Sequence, residues 1–154
     1  MVKRSNYPTL LQHLYAYEIL ADDTVVGYYM YGFRKIALTD CPDSIGENAS
    51  DMSEYCYTLH IRYIAIARAY QHCGFGTYAL KLLILQTREL CKTWPVRLIT
   101  LNALKERAEW YKKIGFAMFN EADMNSPEAD IEMYIDCLID EDRLSQYISD
   151  AEGI

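Results

Sequence analysis

The sequence predicts an α/β (α+β) domain, and three runs carry that reading. In mid-chain, Ile64-Ala65-Ile66 is followed by Gln71-His72-Cys73-Gly74-Phe75-Gly76-Thr77, an apolar strand, a brief turn, then a glycine-punctuated opening into an amphipathic helix. Downstream, Val96 to Leu101 is a second apolar strand, and Leu104 to Ile114 reads as a helix ending at Gly115. Later, Ile131, Met133, Ile135 and Cys137 alternate with Glu132, Tyr134 and Asp136, the pattern of a half-buried strand. A length of 154 residues leaves room for one domain with a sizeable core and too little for two.

The remaining elements follow in order. Thr9 to Leu20 reads as a helix, with Leu10, Leu11, Leu14 and Tyr17 on one side. Thr24 to Tyr31 is β-branched and aromatic, hence a strand, and Gly32 turns the chain into another at Phe33 to Leu38. Thr39 to Tyr55 is polar, acidic and Pro/Gly-punctuated, a loop with room for one helical turn. Tyr57 to Ile66 is the central strand. Phe75 to Cys91 is a helix whose Ala79, Leu80, Leu83, Ile84 and Leu90 are spaced for one buried face, and Trp94-Pro95 stops it. The acidic tail after Leu138 is expected to be partly helical through Arg143 to Ile148. No repeat or low-complexity tract interrupts the chain.

Composition narrows the class. Half the residues are hydrophobic, so the chain is globular rather than disordered. No stretch is long and apolar enough to span a bilayer, and Met1-Val2-Lys3-Arg4 leads into Ser5-Asn6-Tyr7-Pro8 rather than an apolar run, so no membrane and no secretory signal are expected. The five cysteines, Cys41, Cys56, Cys73, Cys91 and Cys137, form no C-x-x-C pair, which favours free thiols in a cytoplasmic setting over disulfides or a metal site.

The mid-chain run carries chemistry. A strand, a turn and a glycine-opened helix aim several backbone N–H groups and the positive end of a helix dipole at one point, where a phosphate or pyrophosphate fits. Gly74 keeps a Cβ from standing between the backbone and the ligand's oxygens. Gly76 lets the helix pack close to the strand, and Thr77 adds a hydroxyl in the first turn. Gly74 to Ala79 also fits G-x-G-x-x-A, the dinucleotide fingerprint. Context rejects it: several residues separate the strand from Gly74, and the position twenty past Gly76 is Val96 rather than an acid.

Two motifs in this order resemble the GNAT superfamily of acetyl-CoA-dependent N-acetyltransferases. Gln71, Gly74 and Gly76 match its pyrophosphate loop, (Arg/Gln)-x-x-Gly-x-(Gly/Ala), and Tyr111, Gly115 and Phe116 match its late helix ending in Tyr-x-x-x-Gly-Phe. The resemblance runs from about Val25 to Leu138, which implies a GNAT domain over 1–138 and an acidic tail over 139–154. It further implies a central mixed, mostly antiparallel sheet flanked by helices on both faces. Only about two dozen residues precede the Thr24 strand, so the first strand is short or absent. The family's late-helix Asn falls here on Leu104, while Asn102 lies two residues earlier and could reach the pantetheine arm by another route.

By the same resemblance the chain is an enzyme moving an acetyl group from acetyl-CoA to an amine by direct transfer, with no metal. Cofactor contacts fall on Ile64, Ala65, Ile66, Gln71, His72, Cys73, Gly74, Phe75, Gly76, Thr77, Asn102 and Tyr111. The central strand splays from its neighbour, and its free backbone groups bind pantetheine amides and face the thioester oxygen. Tyr111 is the general acid, unless it is only a packed aromatic. The candidate bases are His60 and, less directly, Glu54. Cys73 has no His–carboxylate pair around it and is not read as a nucleophile.

The net charge of −7 favours a cationic acceptor, a polyamine, an antibiotic-like amine, or a peptide or protein amine. The carboxylates Asp40, Asp43, Glu47, Asp51 and Glu54 are expected to border its groove. An alternative is the toxin branch, which acetylates aminoacyl-tRNA, with Arg34, Lys35, Arg62 and Arg68 as a local basic patch. A third is a non-catalytic acetyl-CoA-binding or interaction module. Monomer and homodimer both fit.

Overall fold

The computed structural model describes residues 1–4, 14–42, 45 and 54–137. Its strands are β1 (Val2–Arg4), β2 (Leu14–Ala21), β3 (Thr24–Ala37), β4 (Tyr55–Ile66), β5 (Val96–Leu104), β6 (Ala117–Met118) and β7 (Asp130–Asp136). The helices are α1 (Phe75–Cys91) and α2 (Ala108–Ile114). One seven-stranded sheet runs β1-β2-β3-β4-β5-β7-β6. Only β4 and β5 pair in parallel, joined by α1 as a crossover. The sheet is therefore mixed and mostly antiparallel, and its first strand is short.

β2 corrects the expected helix over Thr9 to Leu20: from Leu14 onward the chain is a strand, while 9–13 lie outside the described residues. The same residues that allow a helical stripe also alternate, with Tyr15, Tyr17 and Ile19 on one pleat face. A partner decides between the two. Tyr17 stacks on Tyr29 at 5.2 Å and on Tyr31 at 5.7 Å, a cross-strand aromatic ladder that only the extended form can make. The hairpin closes at Asp22 and Asp23, both with positive φ (46° and 64°), the left-handed pair that a two-residue hairpin requires.

Gly32 does not turn the chain, which corrects the two-strand reading of Thr24 to Leu38. β3 runs unbroken for 14 residues, with Gly32 paired to Leu14 on one side and His60 on the other. The helix expected from Leu104 begins later. β5 continues through Leu104 because Asn102, Ala103 and Leu104 pair with Glu132, Ile131 and Asp130 of β7. A 3-10 turn at Lys105–Arg107 then leads into α2, which stops at Gly115 (φ 121°) as expected. α1 spans the expected residues, and the tail 139–154, with its expected helix, lies outside the described residues.

The main core joins one sheet face (Ile19, Tyr29, Leu59, Ile99, Met133) to the buried sides of α1 and α2. On the other face a smaller cluster of Ile45, Cys56 and Leu98 is packed by Leu38 and Cys41, with a 3-10 turn at Leu38–Asp40.

Gly27 holds β3 against the far end of β4. A Cβ at Gly27 would stand 2.4 Å from the Ala65 carbonyl oxygen and 2.7 Å from Ile66 Cδ1. Gly27→Ala should cost ~1–3 kcal/mol through overpacking. Calorimetry should then show Tm lower by about 2–12 °C, at roughly 2–4 °C per kcal/mol for a chain of this size. An unchanged Tm would mean that the two strands separate freely.

Candidate functional site

The site begins where two neighbouring strands part. The last β4–β5 partners are Ile61 and Leu101. Beyond them β4 stays paired to β3, from Tyr63 with Met30 to Ile66 with Gly27, and β5 stays paired to β7. The β3–β4 register shifts between Met30 and Tyr31, so Arg62 is an extra residue, a bulge at the parting point. The result is a wedge-shaped cleft of about 1100 Å³. One wall is Arg62 to Ile66; the other includes Leu101, Asn102, Leu104 and Asp130; Trp110 and Tyr111 of α2 also line it.

The N-terminus of α1 opens into this cleft. His72 (φ 62°) and Gly74 (φ 87°) are both left-handed and line the cleft together with Phe75, Gly76 and Thr77. Backbone turned this way forms a concave nest of N–H groups, and the first N–H groups of a helix have no intrahelical acceptor. Gly74 caps α1 without any side-chain hydrogen bond, and no atom lies within 4 Å of where its Cβ would stand. That open space is room for an anion. Gln71 braces the loop, its Nε2 donating to the Ile66 carbonyl at 3.0 Å. Gly76 is tight against α2 before it is tight against the strand: a Cβ there would lie 3.3 Å from the Trp110 ring and 3.6 Å from Ile66 Cγ1. Trp110 Nε1 donates to Thr77 Oγ1 at 3.1 Å, which leaves the Thr77 proton for another acceptor.

The cleft gathers most of the residues singled out by sequence: Ile64, Ala65, Ile66, Gln71, His72, Gly74, Phe75, Gly76, Thr77, Asn102 and Tyr111 all line it. Cys73 does not; it is exposed, with Sγ turned to the Gln71 carbonyl at 3.5 Å. Tyr111 is 8% exposed, wedged between Trp110 and Phe116. Burial pushes its phenol above the usual range, against a smaller opposing pull from Arg107, so the group keeps its proton near neutral pH.

His60 is not among the lining residues. It shares the opposite sheet face with Thr58 and Thr100, its Nδ1 2.9 Å from Thr100 Oγ1. Arg34 donates to the same Thr100 oxygen and is ion-paired with Glu132. Burial first, then the Arg34 and Arg62 charges, lower the His60 pKa to about 4, so the imidazole is neutral at physiological pH. The expected acidic border is also displaced. Glu54 immediately precedes β4, and Arg62 is eight residues further on, roughly 26 Å at ~3.3 Å per residue. Asp40 lies at that same far end, and Asp43, Glu47 and Asp51 lie outside the described residues. Sequence reasoning missed Tyr63, Leu104, Arg107, Trp110 and Asp130 as wall residues. Of these, Trp110 had a signal, lying one residue before Tyr111 in the late-helix motif. Among the described residues no group of three or more His, Cys, Asp or Glu could hold a metal ion.

No protein-family model and no curated protein matches the sequence. Solved structures match by shape. A mutant of KacT superposes with a TM-score of 0.68 at 17% identity, over 88% of this chain and 75% of that one. AtaT complexed with acetyl-methionyl-tRNAfMet gives 0.68 at 15% identity, over 89% and 76%. AtaTR bound with AcCoA gives 0.62 at 16%, over 82% and 72%. The fold is the GNAT fold. At these identities the likeness extends to architecture alone.

Two outcomes test this geometry. Gly74→Val would force a branched side chain into a left-handed conformation and into the open nest. In thermal-shift titrations acetyl-CoA should stabilise the native chain by mass action and fail to stabilise this variant. Equal shifts for both would remove the loop from the binding site. The second concerns His60. Unfolded, it titrates near 6.5; folded, near 4, so between those values the unfolded chain binds the extra proton and stability falls as pH drops through that window. His60→Gln should flatten part of the fall in Tm between pH 7 and pH 4.5; parallel curves would assign the fall to other groups.

Proposed function

We propose that this chain is a toxin-type acetyl-CoA-dependent N-acetyltransferase whose acceptor is the α-amino group of an aminoacyl-tRNA. The observation that carries the first half is the wedge itself: an unpaired strand edge, with an anion nest at one end and a buried, protonated phenol on its wall. An extended pantetheine arm has amides spaced to pair with that edge as a missing strand would, and a pyrophosphate suits the nest. Acetyl-CoA, when bound, supplies the acetyl group as an activated thioester. Backbone groups of Arg62 to Ile66 orient it, and Tyr111 holds the proton that a departing thiolate needs.

Two observations support the acceptor. AtaT is complexed with acetyl-methionyl-tRNAfMet, and AtaTR with AcCoA. The second is the placement of the bases: His72 sits at the nest end of the cleft and His60 lies outside its lining. A site without an imidazole beside the reacting centre suits a weakly basic amine. An α-amino group with a pKa of ~7.7–8.0 is roughly one-quarter neutral near pH 7.4, whereas a lysine-like amine at ~10.4 is about 0.1% neutral. That difference favours an aminoacyl ester over the polyamine or lysine-type acceptor that the net charge alone suggests.

Labelled acetyl-CoA, offered with charged tRNAs and with a panel of polyamines, aminoglycoside-type amines and peptides, decides among these readings. Charged tRNA should take the label. Tyr111→Phe, which keeps the ring and removes its proton, should lower kcat roughly ten- to a thousandfold with acetyl-CoA affinity nearly unchanged. Preferred labelling of a free amine would restore the small-amine reading, and acetyl-CoA binding without turnover on any acceptor would leave a non-catalytic module.

A further inference from the structure

The cleft is lined from both faces of the sheet, and the two sides differ in chemistry. The nest and α1 flank one of them. On β4, Ile64 and Ile66 pack toward the main core on that side, so Tyr63 and Ala65 turn to the other face. There the rim is Arg62 and Tyr63 on one edge and Asn102, Leu104 and Asp130 on the other. With the cofactor entering past the nest, an acceptor must arrive from this second side.

Its aromatic rings differ from those of the core face. On the core face Tyr15, Tyr17, Tyr29 and Tyr31 stack on one another. Tyr63, by contrast, is 63% exposed and stacks on no ring among the described residues; Tyr28 is 48% exposed and equally unstacked. The two share a face in diagonal register, Tyr63 opposite Met30 and Tyr28 opposite Ala65. Beside Tyr63 the bulge presents Arg62, exposed and without an ion-pair partner among the described residues. A second guanidinium, Arg107, lines the same cleft.

We propose that Tyr63, flanked by Tyr28, is a stacking platform for the terminal base of a single-stranded, aminoacylated RNA end, and that Arg62 holds the adjoining phosphodiester. An exposed ring beside an unpaired guanidinium is the pairing that binds single-stranded nucleic acid without reading its sequence. A polyamine could lie on the ring through cation–π contact, but it would be repelled by the guanidinium. The inference rests on the charged-tRNA reading and adds to it the subsite for the nucleotide.

The test compares two acceptors with the same α-amine, charged tRNA and the corresponding amino-acid methyl ester, which lacks a base and a phosphate. Tyr63→Ala should raise KM for charged tRNA about ten- to a hundredfold with kcat within a few-fold, and at least fivefold more than it raises KM for the ester. Where the ester does not saturate, kcat/KM serves for the comparison. Tyr63→Trp should restore most of the loss, because stacking needs a ring and not a hydroxyl. Arg62→Gln should weaken charged-tRNA binding and reduce its salt slope by about one. Equal losses on tRNA and ester, or a Trp variant as poor as Ala, would overturn the subsite while leaving the acetyl-transfer reading standing. A wild-type chain that acetylates the ester or a peptide but no charged tRNA would overturn the reading and the subsite together.

Discussion

The parting of β4 from β5 after Ile61 and Leu101 is the constraint on which the rest of this molecule depends. A sheet does not open in its middle at no cost, since backbone groups withdrawn from a partner and from water cost ~1–3 kcal/mol each. Here each strand keeps its outer neighbour along the whole open stretch, β3 for β4 and β7 for β5. Two devices hold the wedge at its width. Gly27 lets β3 approach β4 more closely than any side chain would, and the Trp110–Thr77 hydrogen bond ties α2 to the first turn of α1. The bulge at Arg62 then releases β4 from the plane of its former partner.

From that one opening the functional arrangement follows with few further choices. The crossover from β4 to β5 must begin at the open end of β4, so the start of α1 and its nest fall at the mouth of the cleft. α2 leaves the open end of β5, so Tyr111 reaches the cleft from the wall side with its ring anchored by Trp110 and Phe116. Gly76 is small because two helices that both leave the open end converge there, not chiefly because of the strand below it.

What the sequence made legible were the local signals that agree with their tertiary setting. The glycine-opened helix, the stop at Gly115 and the alternating β7 each depend on residues within a few positions of one another. The misreadings share a different cause. Leu14 to Leu20 satisfies both a helical and an alternating pattern, and the deciding partners, Tyr29 and Tyr31, lie on another strand. Gly32 looks like a turn to any local rule, yet it is held in the strand by Leu14 and His60 on either side. The hairpin that does turn uses Asp22-Asp23, two non-glycine residues with positive φ, and carries no glycine to announce it. Of the site, the nest and Tyr111 were visible because each is a contiguous motif. Tyr63, Leu104 and Asp130 were not, because they come together only where two strands separate.

Charge illustrates the same limit. A net charge of −7 counts every carboxylate equally, wherever it lies. A ligand does not: at physiological salt a surface charge is largely screened beyond a Debye length of ~8 Å. Asp40 and Glu54 sit at the far end of the sheet from the wedge, several such lengths away from Arg62. The rim of the cleft instead sets Arg62 and an unstacked tyrosine side by side, with Asp130 facing them from the other edge. An acidic chain can thus set a guanidinium and an exposed ring side by side at the rim of its cleft, whatever its net charge. The geometry of two diverging strands, rather than the balance of the composition, sets the potential where the chemistry would occur.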